Sequence, residues 1–119
     1  MGKVVINLTA GPEDGEAATI AFLVATAAQV AGHDVLSFMT KEAVRLGFPG
    51  GPEVVPQQQG RPSFAKLSAQ FAEAGGIIYL CPVCVSTRDL GDDPLPNATI
   101  AGATPMWAWI GDSAMVFTY

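Results

Sequence analysis

The chain has 119 residues, half of them hydrophobic, only 14% charged, with a net charge of −5, a pI near 4.5 and a mean hydropathy of +0.34. An acidic balance of this kind lacks the basic surface that neutralises phosphates, so nucleic acid is not an expected partner. The length suits one domain, residues 1–119, and the apolar excess on so small a body leads us to expect a homo-oligomer, in which another copy covers some of the surface.

In chain order, KVVINLT (3–9) is a continuous apolar, β-branched run and suits a strand covered on both faces. Gly11 and Pro12 end it. Helix 1 should start near Glu13 or Asp14, whose carboxylates favour the positive end of a helix, and run to Ala31 before Gly32. It has almost no polar face. Its apolar stretch, AATIAFLVATAAQVA (17–31), is interrupted by Thr19, Thr26 and Gln29 and falls short of the ~20 residues a membrane span needs, so it reads as a buried helix. MGKVVINLTAGPEDG breaks at Gly11, Pro12 and two acids before a signal-peptide core forms, and a cytoplasmic protein is expected.

DVLSFMT (34–40) is the second strand, and Thr40 can cap a short helix, KEAVRL, that stops at Gly47. FPGGPEVVPQQQGRP (48–62) carries too much Gly, Pro and Gln for a packed element and reads as a long loop that could act as a lid. SFAKLSAQFAEAG (63–75) places Phe64, Leu67, Phe71 and Ala74 at helical spacing, and GIIYLC (76–81) is a third buried strand. DLGDDPLPNA (89–98) is a turn-rich connection. Thr104 and Pro105 resemble the cap and first residue of a helix through Ile110, and AMVFTY (114–119) makes a last strand. There is no internal repeat. Strands alternating with helices predict a mainly parallel sheet in a three-layer α/β/α sandwich of Rossmann-like or flavodoxin-like topology.

In such sheets the site forms beyond the carboxyl ends of the strands. That edge collects the loop TAGPED (9–14), where Thr9 and Gly11 are candidates for holding an anion, together with Thr40, Lys41 and Cys81. The loop has too few glycines for a phosphate loop. LCPVCVSTR (80–88) holds the only two cysteines. Pro82 suits the first position of a helix, which makes Cys81 the cap residue, facing unpaired N–H groups that favour thiolate over thiol. Cys84 lies one turn on, near enough to pair with Cys81 or to act as a second sulfur acceptor. Arg88 is four residues beyond Cys84, on its face, where it could hold an anion or steady a thiolate.

The bland alternative is that both cysteines fill core, as free Cys often does. Zinc usually takes four ligands. Two cysteines and a lone His33 at the opposite sheet edge do not supply them, so neither metal nor cofactor is expected. Without a histidine base beside the thiol, a protease-like mechanism lacks its general base, whereas sulfur or redox exchange needs only a thiolate. Trp107 and Trp109 read as core and interface aromatics.

LCPVCVSTR, the opening KVVINLTAGPED, TKEAVRLG and the closing MWAWI and AMVFTY together resemble the DsrE/DsrF-like sulfur-relay family, in particular its small YchN-like branch. The resemblance covers nearly the whole chain. It implies a parallel α/β fold assembled into trimers or hexamers, with cysteine sites near subunit contacts. Its sulfur-transfer members carry a persulfide on a cysteine after the third main strand, which falls on Cys81, while Cys84 matches the second cysteine of the YchN-like branch. Many members have glycine after the arginine where this chain has Asp89. The expected function is a sulfur carrier or sulfurtransferase holding a persulfide on Cys81 and exchanging it with sulfur donor and acceptor proteins. Two alternatives remain: a C-x-x-C dithiol redox protein, and a non-catalytic oligomeric subunit that binds a small ligand or partner.

Overall fold

The computed structural model describes residues 1–119. Five strands, β1 (Lys3–Leu8), β2 (Asp34–Met39), β3 (Ile77–Leu80), β4 (Ala98–Ile100) and β5 (Met115–Thr118), form one sheet in the order β4-β3-β2-β1-β5, every pair parallel. Four helices connect them: α1 (Gly15–Val30), α2 (Phe64–Glu73), α3 (Pro82–Thr87) and α4 (Ala103–Ile110). Residues 41–47 and two shorter stretches are 3-10 turns. No helix is long and apolar enough to cross a membrane.

The pleat sorts the strand residues onto two faces. Val4, Ile6 and Leu8 of β1 alternate with Val5 and Asn7, and the register sets them beside Val35, Ser37 and Met39 of β2. With Ile78 and Leu80 of β3, the first set joins Phe22, Phe64 and Phe71 in one continuous core. The ring of Phe22 lies 4.8 Å from that of Phe64 and 4.9 Å from that of Phe71, so aromatic packing binds α1 to α2 over the sheet. Asp14 caps α1 by accepting from the Ala17 N–H, and Ser63 caps α2 by accepting from the Lys66 N–H. Gly32 ends α1 with φ 97°, a left-handed turn that a glycine takes without penalty. Only the inner side of α1 is buried, and Val30 on its outer side is 90% exposed. The apolar stretch is thus a half-buried helix rather than a fully enclosed one.

The opposite face carries a lighter cover. Met106, Trp107 and Ile110 of α4 stand over Val5, Asn7, Phe38 and Thr40, leaving a hollow of about 330 Å³. Lys3 tethers α4 by donating from Nζ to the Trp109 carbonyl at 2.7 Å and lying over the Trp109 ring at 5.3 Å. Beyond it, Trp107 is 64% exposed, and Met115, Val116 and Phe117 of the edge strand β5 are 50%, 58% and 42% exposed. Strand 114–119 is therefore present, but as an apolar edge open on both faces.

Four local expectations change. β4 falls at the end of what reads as a plain connection, because three residues next to Pro94 and Pro96 give too short a pattern to mark a strand. Thr104 and Pro105 lie inside α4, whose cap is Gly102. KEAVRL is a 3-10 stretch without a Thr40 side-chain cap, since Lys41 enters it at φ 55° and so cannot start a regular α-turn. The 48–62 loop buries Phe48, Pro52 and Val55 and is anchored on α1, where Pro56 and Gln58 abut Gly15 and Arg61 pairs with Glu16 at 3.1 Å.

Candidate functional site

At the carboxyl edge the strand ends stay in register: the Cys81 N–H donates to the Met39 carbonyl at 3.0 Å and the Ala101 N–H to the Leu80 carbonyl at 3.0 Å. β3 ends at Leu80 because Pro82 has no N–H to continue a ladder, and Pro82 then opens α3 with Cys81 as its cap residue. The Val85 N–H closes the first turn onto the Cys81 carbonyl at 3.0 Å. Both cysteines are free and half-buried. Neither lines any of the cavities.

Two tendencies oppose each other at Cys81. Burial raises its pKa, but the Cys84 N–H, the Cys84 thiol, the Val83 N–H and the Arg88 charge together outweigh burial and hold it below the ordinary thiol range. No side-chain cap hydrogen bond closes at Cys81. The two observations fit together because neutral sulfur is a weak acceptor, while a thiolate draws the same N–H groups strongly.

Cys84 has a donor of its own: the Lys41 backbone N–H points at its Sγ from 3.2 Å. The sequence marks Lys41 for its side chain, which is exposed; the backbone amide is what meets the sulfur. Lys41 itself sits at φ 55°, a left-handed conformation costing a non-glycine residue roughly 1–2 kcal/mol.

Arg88 is on the cysteine side of α3, as its spacing predicts, and its Nη1 donates to the Cys84 carbonyl at 3.2 Å. Its Nε, however, is committed to Glu42 Oε1 at 2.7 Å. Glu42 also takes Arg45 Nε on Oε2 at 2.7 Å. Arg45 first and Arg88 second hold the Glu42 carboxyl below the usual carboxylate range. Glu42 is the residue that sequence reasoning missed, since a pair 46 positions apart leaves no local pattern. The Glu42 clamp binds the turn after β2 to the end of α3.

Of Thr9 and Gly11, it is Gly11 that approaches that clamp, while Thr9 bonds to Tyr119. Both the N–H and Oγ1 of Thr9 donate to the Tyr119 carbonyl, at 2.9 and 3.0 Å, closing the crevice between β1 and β5 where the strand order reverses. The Gly11 N–H donates to Glu13 Oε1 at 2.8 Å, and a Cβ on Gly11 would lie 2.3 Å from the Glu42 carbonyl oxygen. Gly11 thus lets the loop after β1 press directly on the clamp. His33 sits at the far edge, its Nδ1 accepting from the Gly2 N–H at 3.3 Å. Asp89 has φ 52°, a region that favours glycine and that aspartate tolerates, so the turn after Arg88 keeps a shape glycine would take.

The model of the DsrE/DsrF-like family matches residues 2–119. Among solved structures, the chain is similar to the crystal structure of the ychN protein from E. coli, with a TM-score of 0.76 and 18% identity over 98% of this chain and 100% of that one. At that identity the likeness bears on the fold. No curated protein matches the chain.

Proposed function

The chain belongs to the DsrE/DsrF-like family, associated with sulfur relay, and from that premise we propose that it is a sulfur carrier on which Cys81 holds sulfane sulfur as a persulfide. The observation that carries this reading is the state of Cys81: partly exposed at a strand end, with its thiol held below the ordinary range despite burial. A thiolate is the form that attacks sulfur. In loading, Cys81 Sγ attacks the outer sulfur of a donor persulfide, a new S–S bond forms, and the donor thiolate leaves. In unloading, an acceptor thiolate attacks that outer sulfur and the electron pair returns to Cys81 Sγ. Neither step changes the overall oxidation state, and neither needs a general base once the thiolate is formed. An open site suits donors and acceptors that are thiols on other proteins.

A dithiol redox cycle is the second reading, favoured by two free cysteines one helical turn apart at the start of α3. Both readings fit a reducing cytoplasm, where free thiols persist. We further propose that the single domain works as a homo-oligomer, trimer or hexamer, through the apolar edge of β5 and the outer side of α4. The test of the carrier is cyanide-labile sulfur after exposure to inorganic polysulfide and desalting. About one equivalent per chain, lost in Cys81→Ser, supports it; thiocyanate yields unaffected by Cys81→Ser sink it.

A further inference from the structure

Residue 41 adopts a backbone conformation that lysine disfavours, and its own N–H makes one contact with a cysteine sulfur. At φ 55° the Lys41 N–H meets Cys84 Sγ at 3.2 Å. An outlier of this kind persists only where its surroundings over-determine it. Here the Thr40 N–H donates to the Leu8 carbonyl at 3.1 Å, the Ala43 N–H donates to the Thr40 carbonyl at 3.1 Å, and Glu42 is gripped by Arg45 and Arg88. Arg88 in turn holds the Cys84 carbonyl at 3.2 Å, so one side chain braces both the donor turn and the helix that carries the acceptor.

A backbone amide aimed at sulfur gains little from a neutral thiol and much from an anion. Cys81 has donors on α3; Cys84 has a separate donor from a different segment. Each sulfur is therefore equipped to bear charge in turn. We propose that Cys84 is a second station for sulfane sulfur, loaded from Cys81, and that the Lys41 backbone amide stabilises the Cys84 thiolate that accepts it. This rests on the persulfide reading of Cys81 above.

The step balances within the chain. The outer sulfur of the loaded Cys81 takes the Cys84 proton, giving Cys81–S–SH and a Cys84 thiolate held by the Lys41 N–H. Cys84 Sγ then attacks the outer sulfur, a Cys84 Sγ–S bond forms, the Cys81 Sγ–S bond breaks, and its electron pair leaves Cys81 as the thiolate that its own donors favour. Nothing is oxidised or reduced overall. The competing course, attack of Cys84 on Cys81 Sγ itself, expels hydrosulfide and leaves a disulfide that needs an external reductant before the next turn.

The experiment is a time course with one equivalent of inorganic polysulfide, quenched with an alkylating agent, in which peptide fragmentation locates the extra sulfur on Cys81 or Cys84. In wild type, sulfur appears first on Cys81 and then on Cys84. Lys41→Gly keeps the amide and relieves the left-handed strain, so transfer persists, which separates the backbone from the lysine side chain. Replacing the Thr40–Lys41 amide by an ester deletes the N–H while leaving φ 55° accessible, which proline would not, and shifts the partition at least about tenfold toward Cys81; an unchanged partition overturns the role of the amide. Sulfur that stays on Cys81 throughout in wild type overturns the second station and leaves the carrier standing. Hydrosulfide release with loss of two hydrogens from the protein overturns it in favour of disulfide formation, and failure of wild type to retain sulfur overturns relay and carrier together.

Discussion

Gly11→Ala probes how tightly the loop after β1 presses on the turn that holds Glu42. The new Cβ would stand 2.3 Å from the Glu42 carbonyl oxygen, 2.7 Å from its carbon and 3.1 Å from its Cβ. Two of these contacts are with backbone, which cannot rotate aside as a side-chain tip can. The Gly11 backbone, at φ −112°, is itself outside the left-handed region, so the penalty is crowding alone. Forced overpacking of this kind costs about 1–3 kcal/mol. For a chain of this size that is a fall in Tm of roughly 4–12 °C. Gly102→Ala is the control, because its Cβ would meet Pro82 at 3.6 Å, an ordinary contact, and the change should stay within about 1 kcal/mol. The assay is thermal unfolding by circular dichroism at one protein concentration, since association would raise apparent stability. A Gly11→Ala protein that melts with wild type, or a Gly102→Ala protein that falls as far, refutes the close-approach reasoning.

Phe71→Ala removes the ring that packs on Phe22 and under Gly76, and it should cost about 3–5 kcal/mol in denaturant unfolding. Val116→Lys places a charge on the open edge of β5; in sedimentation velocity it should dissociate an oligomer while leaving the far-ultraviolet spectrum unchanged. The rate of Cys81 alkylation against pH should turn over below the ordinary thiol value of about 8.5, and Cys84→Ala should move that midpoint upward by removing one donor. With the folded pKa depressed, the Cys81 contribution to stability is fully present above the unfolded thiol pKa and is lost as pH falls through the folded value.

The order of elements was legible because each leaves its own mark: β-branched runs for β1 and β2, Phe64, Leu67 and Phe71 at helical spacing for α2, and Pro82 fixing the point where β3 becomes α3. The placement of Cys81 came with that last boundary. What escaped is what depends on distance in the chain or on backbone torsion. The Glu42 grip on Arg88 links two segments that no periodicity connects, the Lys41 amide meets a sulfur 43 positions away, and residue 41 adopts a conformation its own propensity opposes. β4 escaped for a third reason: its three residues gain their strand character from pairing with β3 rather than from their own sequence. The exposure of β5 has the same origin, since an apolar run reads identically whether neighbouring chain covers it or not.

The most direct measurement is intact mass of wild type, Cys81→Ser and Cys84→Ser after brief exposure to a sulfane-sulfur donor without reductant. Addition of whole sulfur atoms to wild type and Cys84→Ser, absent from Cys81→Ser and reversed by dithiothreitol, is the result expected of a persulfide carrier. Loss of two hydrogens from wild type with no sulfur retained would contradict it and make Cys81 and Cys84 a redox pair.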